Sequence, residues 1–213
     1  MTKVKENKRV ESVLTIDNFK ITNFDQYRSY ALRTLSECGS KELNIDHMLS
    51  GIVTEIGEIN DVFKKELAYK KSIDWVNVGE EWADQMWYVA NASLMTSFKL
   101  ERDEALITFF RRTNQNKSNI QITGIESSKI LISSLSNKQY LQMYLNWLLY
   151  LAERLDINIW ENLTKNILKL IERFGDKFSE LGALHRDLKA ERAILESRVA
   201  KQEPESKKTE EEK

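Results

Sequence analysis

An all-α helical bundle is the fold that this sequence predicts, on three observations. One Pro and seven Gly are all that interrupt 213 residues, and Leu, Ile, Lys and Glu are abundant between them. Apolar residues recur at three- and four-residue spacing in successive segments. Hydrophobic residues make up 41% of the chain, enough for the core of one domain, or of one domain with an appendage.

Residues 1–18 are charged and unpatterned and read as a flexible arm. Residues 24–37 place Tyr27, Ala31, Leu32 and Leu35 on one helical face, and Cys38-Gly39-Ser40 ends that helix. Asn44 or Asp46 is a candidate cap for a second helix reaching about Ala68, with Leu49, Ile52, Ile56, Ile59 and Phe63 as its apolar stripe. Glu55 borders the stripe and Glu58 lies further round. A third helix, residues 78–98, is apolar nearly all round, the signature of a buried helix. Glu80, three residues after Asn77, reads as part of a capping-box-like start. Residues 101–112 continue as helix, and 113–119 form a loop by composition, a surface excursion more than a lid. Residues 137–155 make a packing helix, and 158–174 a further helix ended by Gly175. In 179–200, Leu181, Leu184, Leu188, Leu195 and Val199 fall near heptad positions interrupted by Glu191, a C-terminal helix that docks on the domain or on another subunit. Residues 201–213 read as a disordered tail.

Several function classes are excluded. A net charge of −1 provides no broad basic field, so nucleic acid is not an expected partner. The basic pairs Lys70-Lys71 and Arg111-Arg112 read as solvated surface. A single Cys38 permits no disulfide framework and fits a reducing compartment. The N-terminus lacks an apolar core for a signal peptide, and no run approaches the ~18 apolar residues of a membrane span. A cytoplasmic chain without a membrane partner is expected. His47 and His185 are the only histidines, so a di-iron Glu-x-x-His bundle, a zinc site and a histidine-rich phosphohydrolase are ruled out. No G-x-x-x-x-G-K-[ST] loop is present.

Chemistry concentrates between Gly51 and Asn91. Glu55 and Glu58 are three apart, as are Glu81 and Asp84, and residues i and i+3 are neighbours on a helix surface. Two such helices set antiparallel bring four carboxylates together. Clustered carboxylates repel unless cations sit among them, and Mg²⁺ is the usual occupant. Other acidic pairs share the spacing, Glu101 with Glu104 and Glu58 with Asp61. The second pair stands out because it sits on an apolar helix, where carboxylates are rare unless paired or metal-bound.

GIVTEIGEINDVFKK followed by GEEWADQMWYV resembles the paired acidic helices of the MazG-like, all-α nucleoside triphosphate pyrophosphohydrolases, a superfamily that includes dimeric dUTPases and phosphoribosyl-ATP pyrophosphohydrolases. Leu155-Asp-Ile-Asn-Ile-Trp160, leading into Asn166-Ile-Leu-Lys-Leu-Ile-Glu-Arg-Phe174, is similar to the family's closing helix. The resemblance covers roughly residues 27–178. Residues 100–150 depart from it as an insertion. It implies a helical catalytic domain over 19–178 and Mg²⁺-dependent cleavage of nucleoside triphosphates to monophosphate and pyrophosphate, with Mn²⁺ as a substitute metal. Glu55, Glu58, Glu81 and Asp84 become the metal-carboxylate set, with Glu55 as the base. Lys65, Lys169 and Arg173 become phosphate contacts and Asn166 a polar contact to substrate. The resemblance also implies a homodimer or homotetramer. Trp82, Trp87 and Tyr88 could shape a base pocket but read as core. Two rival readings are an enzyme narrowed to deoxyuridine or deoxycytidine nucleotides, and a helical interaction protein without turnover.

Overall fold

Short polar side chains capping helix starts set the boundaries of this chain. The computed structural model describes residues 19–96, 98–135, 140–175 and 177–197, and among them every regular element is helical. The expected arm, the expected tail and Val199 lie outside the described residues.

Helix α1 (Phe24–Ala31) begins at Asn23 and tightens into a 3₁₀ turn, Leu32–Thr34. It is shorter than the periodicity predicts, because the backbone turns extended at Leu35. Ser40 caps α2 (Lys41–Tyr69), its hydroxyl accepting from the Leu43 amide. Neither Asn44 nor Asp46 serves as the cap; Asn44 accepts from the Cys38 amide instead. Asp74 caps α3 (Trp75–Met95). Glu80 therefore has no place in the helix start and is free for another task.

After α3 the chain breaks, and Asp103 caps a new helix, α4 (Glu104–Asn114), where the sequence predicts continuation. A π-helical turn, Gln121–Glu126, leads into α5 (Ser127–Leu135) and α6 (Tyr140–Arg154). Residues 115–118 form the expected surface loop, with Asn114 as the one buried residue of 113–119, and the chain beyond it returns to the core. Ile122 is fully buried, and the Ser127 hydroxyl accepts from Trp147 Nε1 at 2.8 Å. The π turn lies against α2, with Gly124 so close to Asn60 that a Cβ there would meet its amide.

Helix α7 (Ile159–Phe174) runs between an Asn158 cap and Gly175, as the sequence predicts. The single C-terminal helix does not form. The chain makes two short helices, α8 (Glu180–Leu184) and α9 (Leu188–Glu196), separated by a bend where Asp187 caps the second. Leu181, Leu184 and Leu188 are exposed, so the apolar repeat is not a packing seam here.

Helix α3 is the axis. It packs along α2, and α1, α6, α7 and α9 also contact it. Its apolar side, Trp82, Met86 and Val89, is buried, and Trp82 Nε1 donates to the Leu148 carbonyl of α6 at 2.8 Å. The residues read as an insertion cover α2 and α3 on this side, through the π turn, α5 and α6. Close approach of α2 and α3 requires Gly51, since a Cβ there would come 2.1 Å from the Tyr88 ring. None of the helices among the described residues is long and apolar enough to cross a membrane.

Gly51→Ala should destabilise the fold by ~1–3 kcal/mol through overpacking. In a Tyr88→Ala background the same change should be nearly neutral. Chemical denaturation of the four proteins of this double-mutant cycle measures the coupling.

Candidate functional site

Glu55 projects from α2, and Glu81 and Asp84 from α3, where the helices run side by side. One oxygen from each lies within 4.8 Å of the others. Glu81 is buried, Glu55 and Asp84 are half-buried, and Glu58 is exposed one turn along α2. Glu58 lines the same cavity but stands outside the tight group.

Helix α7 fixes Asp84. Lys169 Nζ lies 2.6 and 2.9 Å from the two Asp84 oxygens and 3.0 Å from Glu80 Oε1. Asn166 Nδ2 donates to Asp84 Oδ1 at 2.5 Å, and Asn166 Oδ1 accepts from the Tyr27 hydroxyl at 2.9 Å. Lys169 is 1% exposed. Burial works against its charge, but Asp84 and Glu80 outweigh that and hold its pKa above the ordinary lysine value. Asn166 and Lys169, expected at the substrate, spend these donors on carboxylates of α3. Glu80 is the site residue that the reading of a helix cap concealed.

The carboxyls respond to crowding. Burial pushes Glu55 up to about 7, with Asp84 and Glu58 adding to the rise and its hydrogen bond from Glu81 opposing it. Burial pushes Glu81 further, to about 10, and the bond to Glu55 adds to the rise. Glu55 and Glu81 are hydrogen-bonded to each other, which requires a proton between two carboxyl oxygens. A set of oxygen-only donors, packed closely enough to retain protons, fits a hard divalent ion such as Mg²⁺.

A cavity of about 670 Å³ opens over these groups. Glu55, Glu58, Glu80, Glu81 and Asp84 line one part of it. Arg173, Arg186 and Arg192 line another. Trp87, Tyr88 and His47 contribute aromatic surface. Trp87 and Tyr88, read as core, each have one side packed on the core and another facing this space; Trp82 is core alone. Lys65 is not at this cavity. It pairs with Asp61 beside a neighbouring hollow that shares Glu58 and Glu81.

Arg173 does front the cavity. Its guanidinium donates from Nε and Nη2 to the two oxygens of Glu191, at 2.9 and 2.6 Å. Arg186, in the bend between α8 and α9, donates from Nη2 to the same carboxylate at 2.7 Å. Arg186 and Glu191 were absent from the expected site because 179–200 reads as one helix. The charged Glu191 within its apolar repeat was the available signal. His185 is exposed, and exposed Cys38 has its Sγ 3.5 Å from His47 Nδ1.

No protein-family model, curated protein or solved structure matches the chain.

Glu55 and Glu81 make stability depend on pH. Their folded values are raised above the ordinary 4.5, so their contribution is full below that value. It is lost as pH rises through about 7 for Glu55 and on towards about 10 for Glu81. The metal-free protein should therefore melt several degrees lower at about pH 8 than at about pH 5, at ~2–4 °C per kcal/mol. Glu55→Gln with Glu81→Gln should flatten that slope. Millimolar Mg²⁺ should raise the wild-type midpoint more at the higher pH. Thermal melts across pH test all three.

Proposed function

We propose that this chain is a Mg²⁺-dependent hydrolase that cleaves nucleoside triphosphates to a monophosphate and pyrophosphate. The observation that carries the reading is the convergence of Glu55, Glu81 and Asp84 at the floor of a cavity that also presents arginines and aromatic rings. Its volume suits a ligand of nucleotide size. The resemblance of the two acidic helices to the MazG-like enzymes points the same way.

Glu55, Glu81 and Asp84 would hold the ion, and Glu58 is a fourth carboxylate lining the same cavity. A divalent ion there supplies positive charge against phosphate oxygens and makes water more acidic. The chain's own groups do the rest. Lys169 and Asn166 keep Asp84 in one orientation and partly offset the charge of Glu80 and Asp84. Arg173 balances charge that develops on the leaving pyrophosphate. Glu55, half-buried on the cavity wall, accepts the proton of the water that attacks the α-phosphorus. As the new P–O bond forms, the bond to the bridging oxygen breaks and pyrophosphate departs. Trp87, Tyr88 and His47 offer flat surfaces for a base.

Purified protein with Mg²⁺ and a panel of nucleoside triphosphates should release pyrophosphate and monophosphate, and chelator should stop it. Glu55→Gln should lower kcat/KM by ~10²–10⁴-fold. Release of orthophosphate and diphosphate instead would contradict the proposed bond cleavage. Strong preference for deoxyuridine or deoxycytidine nucleotides would select the narrower pyrimidine enzyme.

A further inference from the structure

Glu191 is buried on α9, with its side chain 3% exposed. A carboxylate in that position is costly to ionise. Burial does oppose its charge, but Arg173 and Arg186 outweigh it and hold Glu191 at about 2. Two guanidiniums thus share the Glu191 carboxylate, and the other carboxylates acting on Arg186, Glu80 and Asp84, are bonded to Lys169. Glu191 engages Nε and Nη2 of each arginine. Among the described residues Nη1 of each has no hydrogen-bond partner, and both arginines line the cavity above the carboxylate cluster. The Arg186 side chain is 41% exposed. Arg192 differs, because Asp74 and Glu196 occupy its guanidinium and so tie α9 to the start of α3.

We propose that Arg186, held beside Arg173 by Glu191, binds the phosphate tail of the substrate, so that the segment 180–197 forms part of the binding site. This inference rests on the pyrophosphohydrolase reading for its ligand. The chemistry is that of paired guanidiniums, whose planar donor forks match phosphate oxygens. A phosphate chain anchored at its other end near Glu55, Glu81 and Asp84 would bring negative charge to the arginine pair. Glu191 acts as a positioning residue. It sets the register of both guanidiniums and keeps them from repelling one another.

Calorimetric titration of the full chain with inorganic tripolyphosphate in the presence of Mg²⁺ tests the proposal, alongside titration with Mg²⁺ alone and turnover of nucleoside triphosphates. Arg186→Ala should weaken tripolyphosphate binding by about tenfold or more, as loss of a charged hydrogen bond does. Arg186→Lys should recover part of that loss, and Mg²⁺ alone should bind as in wild type. Arg111→Ala, which removes a surface pair with Glu153, should change nothing. Unchanged tripolyphosphate affinity in Arg186→Ala overturns the proposal, as does an equal loss of Mg²⁺ binding. Arg186-dependent tripolyphosphate binding without turnover of any nucleotide overturns only the hydrolase reading. No tripolyphosphate binding by wild type overturns both.

Discussion

The buried ion pair between Lys169 and Asp84 is the constraint on which the site depends. Five carboxylates line a single cavity, Glu55, Glu58, Glu80, Glu81 and Asp84, and their mutual repulsion would push α2 and α3 apart. Lys169 reaches from α7 and contacts two of them. A pair of this kind adds little net stability when it is complete, since desolvation offsets attraction. Removing one partner is another matter, and typically costs ~3–5 kcal/mol because an unpaired charge remains buried. The lysine thus fixes geometry more than it adds stability. It orients Asp84 and docks α7 against α3, and α7 in turn carries Arg173 to the cavity. Glu55 and Glu81 receive no hydrogen bond from Lys169; they bond to each other, and burial raises both carboxyls.

The rest of the fold frees one side of α3 for this charge. Trp82 and its neighbours are sealed by α6, while the π turn and α5 cover α2. Tight packing here has little tolerance, as the contact of Gly51 with the Tyr88 ring illustrates. Polar chemistry is then confined to the side bounded by α7 and α9. The two short C-terminal helices close that side by ion pairs, Arg173 and Arg186 to Glu191 and Arg192 to Asp74, with only Ile194 and Leu195 buried among α9's apolar residues.

Much of this was legible in the sequence, and the failures have physical causes. The three-residue spacing of Glu55 with Glu58 and of Glu81 with Asp84 could be read because helix geometry is local. Helix α7 could be bounded because Asn158 and Gly175 are strong end signals. Glu80 was misread because Asn77 resembled a cap, whereas Asp74 caps the helix three residues earlier. Its four-residue spacing from Asp84 was the signal that both face one cation. Lys169 and Asn166 were placed correctly on the closing helix, but spacing cannot say whether a donor meets a ligand or a carboxylate of the same chain. The C-terminal segment failed most. Its leucines promised a continuous apolar stripe, but charge pairing across 74, 173, 186, 191 and 192 decides its course, and long-range pairing leaves no periodic trace.

The central claim is that Glu55, Glu81 and Asp84 form a divalent-cation site. Crystals grown with Mn²⁺, whose anomalous scattering locates it without ambiguity, test this most directly. The account predicts an anomalous peak among the three carboxylates, with metal–oxygen distances of about 2.0–2.3 Å. Fully occupied Mn²⁺ elsewhere, with this cluster empty and the Glu55–Glu81 hydrogen bond intact, would contradict it.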